Sequence, residues 1–218
     1  MGCSCADEID VGVKGLKMCS RYWTDESPEL RSIVEEMKRS SLVSRWQKTT
    51  KVKTYGEMRP TDVVPVIAPN RHGERAVFPM KWGFSGKTLL INARSETAAV
   101  KPTFQEAWQR HRCIIPASWY FEWEHRIGND GRKYTGDKYM LQPRGSSVTW
   151  LCGLYRIEEG LPVFVVLTRE PGEEIRFLHD RMPLILPQDL VGEWIRPGAN
   201  PEELVQEALT DMMFEKAV

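Results

Sequence analysis

The chain lacks the features that mark several common protein classes. Its 218 residues include only five cysteines: Cys3, Cys5, Cys19, Cys113 and Cys152. This odd number, without any CxxC spacing, argues against a disulfide framework and predicts a reducing compartment. No histidine lies near Cys3 or Cys5 to complete a zinc site, and the HExxH, Walker and GxGxxG motifs are missing. The sequence therefore predicts neither a metal nor a cofactor.

Long apolar runs and a net charge are missing as well. No segment approaches the roughly 20 apolar residues that a membrane-spanning helix needs. Lys and Arg together number 30, as do Asp and Glu, so the composition does not indicate a general nucleic-acid binder. Hydrophobic residues make up 41% of the chain and include eight tryptophans, enough for one sizeable core. We expect a soluble, cytoplasmic, monomeric protein.

The charge is nonetheless uneven between residues 45 and 59. This segment contains one acid, Glu57, and five bases: Arg45, Lys48, Lys51, Lys53 and Arg59. Its composition alone favours a solvated face. A groove that faces phosphate is the alternative.

The amino-terminal residues 1–17 read as a leader, and residues 18–218 as one domain. The leader has no apolar stretch of the kind found in secretory signals. Its Met1-Gly2-Cys3 start is a poor lipidation motif, because Ala6 stands where Ser or Thr is expected. An early start codon, a leader of non-native origin and a segment removed during maturation all remain open. Met18 directly precedes Cys19, so initiation there and loss of the methionine would expose Cys19 as the first residue.

Hydrophobic spacing and breaker residues predict an α+β fold with a mainly antiparallel, barrel-like sheet and peripheral helices. Ser27-Pro28-Glu29 starts a helix that is expected to run to about residue 40. Strands are predicted at 63–67, 76–80, 88–92, 113–116, 148–155 and 163–168. Further helices are predicted at 104–110, 171–177, 187–194 and 201–212. Residues 124–137 read as a polar insertion around a turn.

Four short segments carry groups that could do chemistry. In chain order they are Met18-Cys19-Ser20-Arg21, Ile91-Asn92-Ala93-Arg94-Ser95-Glu96-Thr97, Phe121-Glu122-Trp123 and His179-Asp180-Arg181-Met182-Pro183. Together they offer a thiol, an amide, a carboxylate, an imidazole and several guanidinium groups. These are the ingredients of a covalent site.

This ordered set, within about residues 18–190, resembles the SRAP family, the SOS-response-associated putative peptidases understood as abasic-site processing proteins. The family patterns are Met-Cys-Gly-Arg, Asn-Ala-Arg-x-Glu, Pro-Ala-x-x-x-Tyr-Glu-Trp and His-x-Arg-Met-Pro. Here Ser20 replaces the glycine and Phe121 the tyrosine. The loop from Tyr55 to Pro60 departs further, since the family usually reads Tyr-Asn-x-x-Pro. The resemblance implies single-stranded DNA with abasic sites as the partner, and association with the nucleoid in a bacterium.

The resemblance also implies a chemistry for the site. As an amino-terminal residue, Cys19 would attack the aldehyde of an abasic deoxyribose through a Schiff base that closes into a thiazolidine. An α-amine suits this step, because its pKa of about 7.7–8.0 leaves far more of it neutral than of a lysine. Glu122 and His179 would transfer protons, and Asn92 would position the sugar. An internal cysteine lacks the amine, so the reaction requires removal of residues 1–18.

Five more residues are implied in DNA binding. Arg21 and Arg94 would hold phosphates, Trp82 and Trp123 would stack on bases, and Arg181 would contribute a further contact. Plainer interpretations stand beside these: an Arg94–Glu96 ion pair, a core role for either tryptophan, and a structural ion pair for Arg181.

Two other functions remain open at the level of sequence. The first is a cysteine hydrolase in which His179 activates Cys19 to cleave its own leader, with Glu122 assisting. The second is a non-covalent DNA-binding module whose cysteine is incidental.

Overall fold

The computed structural model describes residues 19–128 and 130–217, so the leader predicted at 1–17 lies outside the described residues. The described residues form thirteen strands: β1 (Arg21–Thr24), β2 (Gly56–Met58), β3 (Val63–Pro69), β4 (Arg75–Trp82), β5 (Asn92–Arg94), β6 (Arg112–Ala117), β7 (Trp119–Ile127), β8 (Lys133–Pro143), β9 (Thr149–Glu158), β10 (Leu161–Arg169), β11 (Met182–Pro183), β12 (Ile185–Leu186) and β13 (Met212–Lys216).

The helices of the described residues are short and lie between the strands. They are α1 (Pro28–Lys38), α2 (Leu42–Trp46), α3 (Ser95–Ala98), α4 (Pro102–Arg110), α5 (Val191–Ile195) and α6 (Pro201–Gln206), with 3₁₀ turns at Glu173–Ile175 and Gln188–Leu190. None of these helices is long and apolar enough to cross a membrane.

Five strands close into a barrel. Strand β3 pairs with β4 and β6, β6 pairs with β9, β9 pairs with β10, and β10 returns to β4. Only the β10–β4 pairing in this ring is parallel. The barrel strands are buried almost throughout, because the residues of one strand alternate between two apolar clusters. Val66 belongs to the cluster shared with Tyr22 and Tyr120, whereas Ile67 belongs to the cluster shared with the helices.

A second, antiparallel sheet covers one side of the barrel, with the strand order β13-β8-β7-β1-β2. Its inner face carries buried side chains such as Tyr22, Tyr120 and Leu141, which pack with barrel residues. The side chains of its opposite side alternate with these along each strand: in β1, Tyr22 and Thr24 are buried, whereas Arg21 and Trp23 are partly exposed. We call this side the outer face; it carries Arg21, Trp23, Trp119, Phe121, Trp123 and Lys138.

The predicted fold class is confirmed: the strands are mostly antiparallel, a barrel forms the centre and the helices are peripheral. Helix α1 begins at Pro28 as expected and buries Leu30, Ile33, Val34 and Met37. The barrel strands β3, β4, β6 and β10 contain the segments predicted for them, and β9 begins one residue after its predicted start at residue 148. Helix α4 likewise covers the helix predicted at 104–110.

Three local predictions were wrong. The strand predicted at 88–92 starts only at Asn92, where pairing with β10 begins. Residues 171–177 form only a 3₁₀ turn, and α6 ends at Gln206, because Met212 is recruited as an edge strand against β8. The turn predicted within the polar insertion 124–137 is present: the Gly131 N–H donates to the Gly128 carbonyl between β7 and β8, whose arms contain most of the insertion.

Candidate active site

Cys19 and Glu122 are brought together by the pairing of β1 with β7. In this antiparallel register Arg21 lies opposite Phe121, so the chain just before β1 passes beside Glu122. The backbone N–H of Cys19 donates a hydrogen bond of 3.1 Å to Oε2 of Glu122, across 103 residues of sequence. Two of the predicted site residues therefore meet at one backbone nitrogen.

The backbone at Cys19 is strained and its side chain is buried. Its φ of +32° lies in the left-handed region that side chains rarely adopt. Ser20, which stands where the family has glycine, is not among the described residues with positive φ. The Cys19 side chain is fully buried, and burial followed by the charge of Glu122 raises the pKa of its thiol well above the ordinary value. This environment favours the protonated thiol.

Glu122 is a buried carboxyl group whose pKa is raised. It lies on the inner side of β7 and is 4% exposed. Burial raises its pKa to about 8, although the N–H groups of Cys19 and Trp123 act in the opposite direction, and nearby Asp180 raises it further. Glu122 therefore holds its proton through much of the neutral range, as a proton-transfer group requires.

Tyr120 and Asp180 also belong to this environment, and the sequence analysis did not single them out. The hydroxyl of Tyr120 is buried without a hydrogen-bond partner among residues 19–128 and 130–217. Burial, then the nearby Cys19 and Glu122, raise the pKa of this phenol. The available signal was spacing: Tyr120 and Glu122 are two apart on β7 and share its inner face.

His179 is buried beside Asp180, one of the two carboxyl groups just described. Its Nδ1 accepts the backbone N–H of Arg181 at 3.0 Å, so the neutral ring carries its proton on Nε2. The same Nδ1 lies 2.7 Å from the exposed carboxylate of Asp180. The ring also lies 4.1 Å from that of His125, measured between centroids. Asp180 thus interacts with both groups: it contacts His179, and its charge raises the pKa of Glu122.

Arg181 has a structural position. Its guanidinium donates two hydrogen bonds to the Glu96 carboxylate, at 2.7 and 2.6 Å, and a third to the Thr168 carbonyl at 2.7 Å. Burial acts to raise the pKa of Glu96, but the hydrogen bonds from Arg181 outweigh it and lower this pKa. Arg181 is 8% exposed, so it offers little to a phosphate. The ion-pair alternative fits, although Glu96 pairs here with Arg181 and not with Arg94.

Trp82 lies in the core. It is fully buried, its ring is 5.4 Å from Tyr22 and 6.0 Å from Phe164, and its indole N–H donates to the carbonyl of Ile91 at 2.9 Å. Full burial leaves no ring face for a nucleobase, which corrects the predicted stacking role. Trp82 instead fixes the residue that precedes Asn92.

Asn92 and Arg94 lie on β5, which pairs in parallel with β10. Asn92 is half-buried, whereas Arg94 is exposed at the strand end. Arg21 and Trp123 lie on the outer face, apart from the inner-face carboxyl of Glu122. Arg94, Arg21 and Trp123 therefore keep surface positions that a DNA strand could reach.

A cluster of bases surrounds Glu57 at the edge of the outer face. Its carboxylate lies 3.2 Å from Arg21, 3.0 Å from Arg59 and 2.9 Å from Lys138. The Lys138 ammonium also lies 3.7 Å from the ring centroid of Phe121. Of the five bases at residues 45–59, Arg59 contacts this carboxylate, whereas Arg21 and Lys138 come from other segments of the chain. The described part of the chain contains no group of three or more His, Cys, Asp or Glu side chains suited to a metal.

Comparison with known proteins agrees with these motifs. The abasic site processing protein YoaM of Bacillus subtilis is 34% identical over 125 residues, which cover 55% of this chain and 53% of YoaM. The abasic site processing protein YedK of Escherichia coli is 31% identical over 136 residues, 57% of each chain. The chain thus spans about half the length of these curated relatives.

The fold agrees with solved structures too. A protein from Bacteroides thetaiotaomicron superposes with a TM-score of 0.67 at 20% identity, covering 92% of both chains. At that identity the likeness concerns the fold alone. The sequence model of one family, described as SOS response associated peptidase (SRAP), matches residues 18–217. The chain therefore belongs to the SRAP family.

Proposed function

We propose that this protein processes abasic sites in single-stranded DNA and bonds covalently to them through Cys19. The observation that carries the proposal is the 3.1 Å contact between the Cys19 nitrogen and the Glu122 carboxyl. That nitrogen becomes an α-amine once residues 1–18 are removed, and it already adjoins a proton-transfer group. The type of DNA lesion is inferred from the relatives, which are named abasic site processing proteins.

Removal of residues 1–18 is part of the proposal. With those residues attached, the Cys19 nitrogen is an amide without a nucleophilic lone pair. The positive φ of Cys19 is a further reason to expect this removal. The strain of a positive φ, roughly 1–3 kcal/mol, exists only while a preceding residue is attached, so cleavage before Cys19 would release it. The family match beginning at residue 18 is consistent with a mature chain that starts at Cys19.

The pKa values of the two groups suit Schiff-base formation. An α-amine titrates near 7.7–8.0, and the pKa of Glu122 is raised to about 8. The value for Glu122 applies while the Cys19 nitrogen is an amide; once that nitrogen is an amine, the two contacting groups titrate as a coupled pair between which a proton can pass. The neutral amine attacks the aldehyde carbon to give a carbinolamine. The Glu122 carboxyl then protonates the departing hydroxyl, which leaves as water and creates an iminium ion and a carboxylate.

Ring closure then forms the thiazolidine. The Cys19 thiol adds to the iminium carbon, and its proton passes to the Glu122 carboxylate, which returns to its acid form. This order suits a thiol whose pKa burial raises, because the base appears only after the first step. His179, whose neutral ring carries its proton on Nε2, is the second proton carrier. The half-buried Asn92 positions the sugar. Reversal of the same steps would release the DNA.

The thiol peptidase alternative has less support. Such an enzyme needs a thiolate beside a base, whereas burial and the charge of Glu122 both disfavour the Cys19 thiolate. If the protein were a non-covalent DNA-binding module with an incidental cysteine, the contact between the Cys19 nitrogen and the buried Glu122 carboxyl would have no chemical role.

The experiment compares the full-length chain with a chain that starts at Met18. Each is mixed with a single-stranded oligonucleotide bearing one abasic site, and denatured intact masses are recorded. We expect the shorter chain, after loss of Met18, to gain the mass of the oligonucleotide less one water. The full-length chain should gain it only where its mass shows prior loss of residues 1–18.

Controls separate the chemical roles. Cys19→Ala keeps the α-amine and loses the thiol, so its adduct should be a reducible Schiff base. Acetylation of the α-amine should abolish the adduct while leaving thiol-only hydrolysis intact. Absence of any adduct with the Cys19-start protein would overturn the proposal.

A further inference from the structure

The outer face carries an aromatic pair that the proposed chemistry does not use. Trp23 on β1 lies opposite Trp119 on β7, with ring centroids 6.0 Å apart and ring planes 3° apart. Both side chains are partly exposed. Tryptophan combines a large apolar ring with a polar N–H and is enriched at recognition surfaces. Two stacked indoles at the surface therefore point to a flat aromatic ligand.

The pair lies on strands that begin and pass beside Cys19. Arg21 is two residues before Trp23 on the same face of β1, and Cys19 is two residues before Arg21. Strand geometry separates Arg21 from Trp23 by about 7 Å. The Cys19–Glu122 contact lies on the inner side of this sheet and the indoles lie on its outer face, so a strand anchored at Cys19 would reach the indoles around the start of β1, beside Arg21.

Basic side chains beside the indole pair suit the binding of a polyanion. Arg21, Arg59 and Lys138 all lie within 3.2 Å of a single carboxylate, that of Glu57. Glu57 is itself the strand partner of Trp23, so the bases border the indole pair. Positive charge beside stacking rings is the arrangement that binds single-stranded nucleic acid: cations hold phosphates, and rings hold bases.

We propose that the Trp23–Trp119 pair is a base-stacking subsite for single-stranded DNA, which holds a nucleobase flanking the abasic nucleotide. This inference rests on the proposed function, since the lesion at Cys19 fixes which part of the strand lies near the indoles. Every base has a π face, so the subsite is tolerant of sequence. It would hold the strand before the covalent step.

The test measures non-covalent affinity. The probe is a single-stranded oligonucleotide with a tetrahydrofuran analogue of the abasic site, which lacks the aldehyde. Trp119→Leu should weaken binding between about 5-fold and 150-fold, the range for loss of one stacked base. Trp119→Phe keeps a ring and should retain most of the affinity. Ile157→Ala, which alters an exposed apolar side chain on the barrel strand β9, should leave affinity unchanged.

A second probe separates stacking from misfolding. It replaces the flanking nucleotides by the same baseless analogue, so no base remains to stack. Wild type and Trp119→Leu should bind this probe equally. Unequal binding to it would mean that the substitution damages the fold, and would overturn the stacking assignment.

The outcomes also distinguish this inference from the proposed function. If wild type with a free Cys19 forms the adduct but Trp119→Leu binds the first probe as Ile157→Ala does, the subsite is refuted and the chemistry stands. If wild type forms no adduct and binds no probe, both are refuted. If it binds with stacking but forms no adduct, the chemistry alone fails.

Discussion

Arg181 and Glu96 form a two-bond ion pair that joins two motif segments 85 residues apart in sequence. One segment carries Asn92 and the other carries His179. The backbone N–H of Arg181 also binds Nδ1 of His179, so the residue that ties the segments together orients the imidazole too.

Replacing Arg181 tests this connection. Arg181→Ala should lower the free energy of unfolding by about 2–4 kcal/mol, because it leaves the Thr168 carbonyl and part of the Glu96 carboxylate without their donor. Arg181→Lys keeps the charge but loses the paired N–H geometry, so it should recover only part of the stability. Chemical denaturation measures both, with Arg176→Ala, in an exposed ion pair, as the control. Equal stability of all three variants would contradict the structural role.

Sequence spacing predicted much of the fold because its main elements are locally encoded. Helix α1 has a proline start and an apolar stripe, and the barrel strands are short β-branched runs between breakers. The wrong assignment at the end of α6 has a distant cause: Met212 begins an edge strand that pairs with β8, about 70 residues earlier in the chain. No local pattern records a partner strand that lies far away in sequence.

The site was predicted less completely, for a similar reason. The motifs identified Cys19 and Glu122, but only the β1–β7 register specifies which atoms meet. Burial distinguishes Trp82, a core residue, from Trp123, a surface one, although both sit in aromatic-rich segments. Arg181 and Arg94 likewise look alike in sequence, and only the position of Glu96 separates them.

The raised pKa of Glu122 predicts a pH dependence of stability in the full-length chain. This pKa is about 8 in the folded protein against an ordinary value of 4.5. Between these values the unfolded chain releases a proton that the folded chain keeps, so the free energy of unfolding should fall as pH rises from about 4.5 to 8. A pKa difference of one between the folded and unfolded chain corresponds to about 1.4 kcal/mol, so the loss should amount to a few kcal/mol.

Glu122→Gln should remove this dependence. Urea denaturation at pH 5 and at pH 8.5 gives the comparison, and the difference between wild type and variant isolates the one group. Glu174→Gln, at an exposed carboxylate, should behave as wild type. Parallel pH profiles for wild type and Glu122→Gln would show that the carboxyl titrates normally.

Tyr120→Phe should separate stability from activity. The hydroxyl is buried without a partner among the described residues, so its removal should leave stability unchanged or raise it by up to about 1 kcal/mol. The same hydroxyl lies in the electrostatic environment of Cys19 and Glu122, so adduct formation with abasic DNA should slow. Thermal unfolding and single-turnover adduct rates provide the two readouts. A loss of stability would mean that the hydroxyl has a structural partner.

Glu57→Gln should strengthen binding of single-stranded DNA. Glu57 neutralises part of the charge of Arg21, Arg59 and Lys138, and its own pKa is lowered, against the effect of burial, by Lys138 and Arg59. The glutamine keeps the shape and removes the charge, so one more base is available to phosphate. Since each phosphate contact on a single strand contributes about 0.7 to the slope of log affinity against log salt, that slope should steepen by about this amount. Glu193→Gln, in an exposed ion pair with Arg196, is the matched control and should change neither affinity nor slope. An unchanged slope in Glu57→Gln would place the phosphate path away from this cluster.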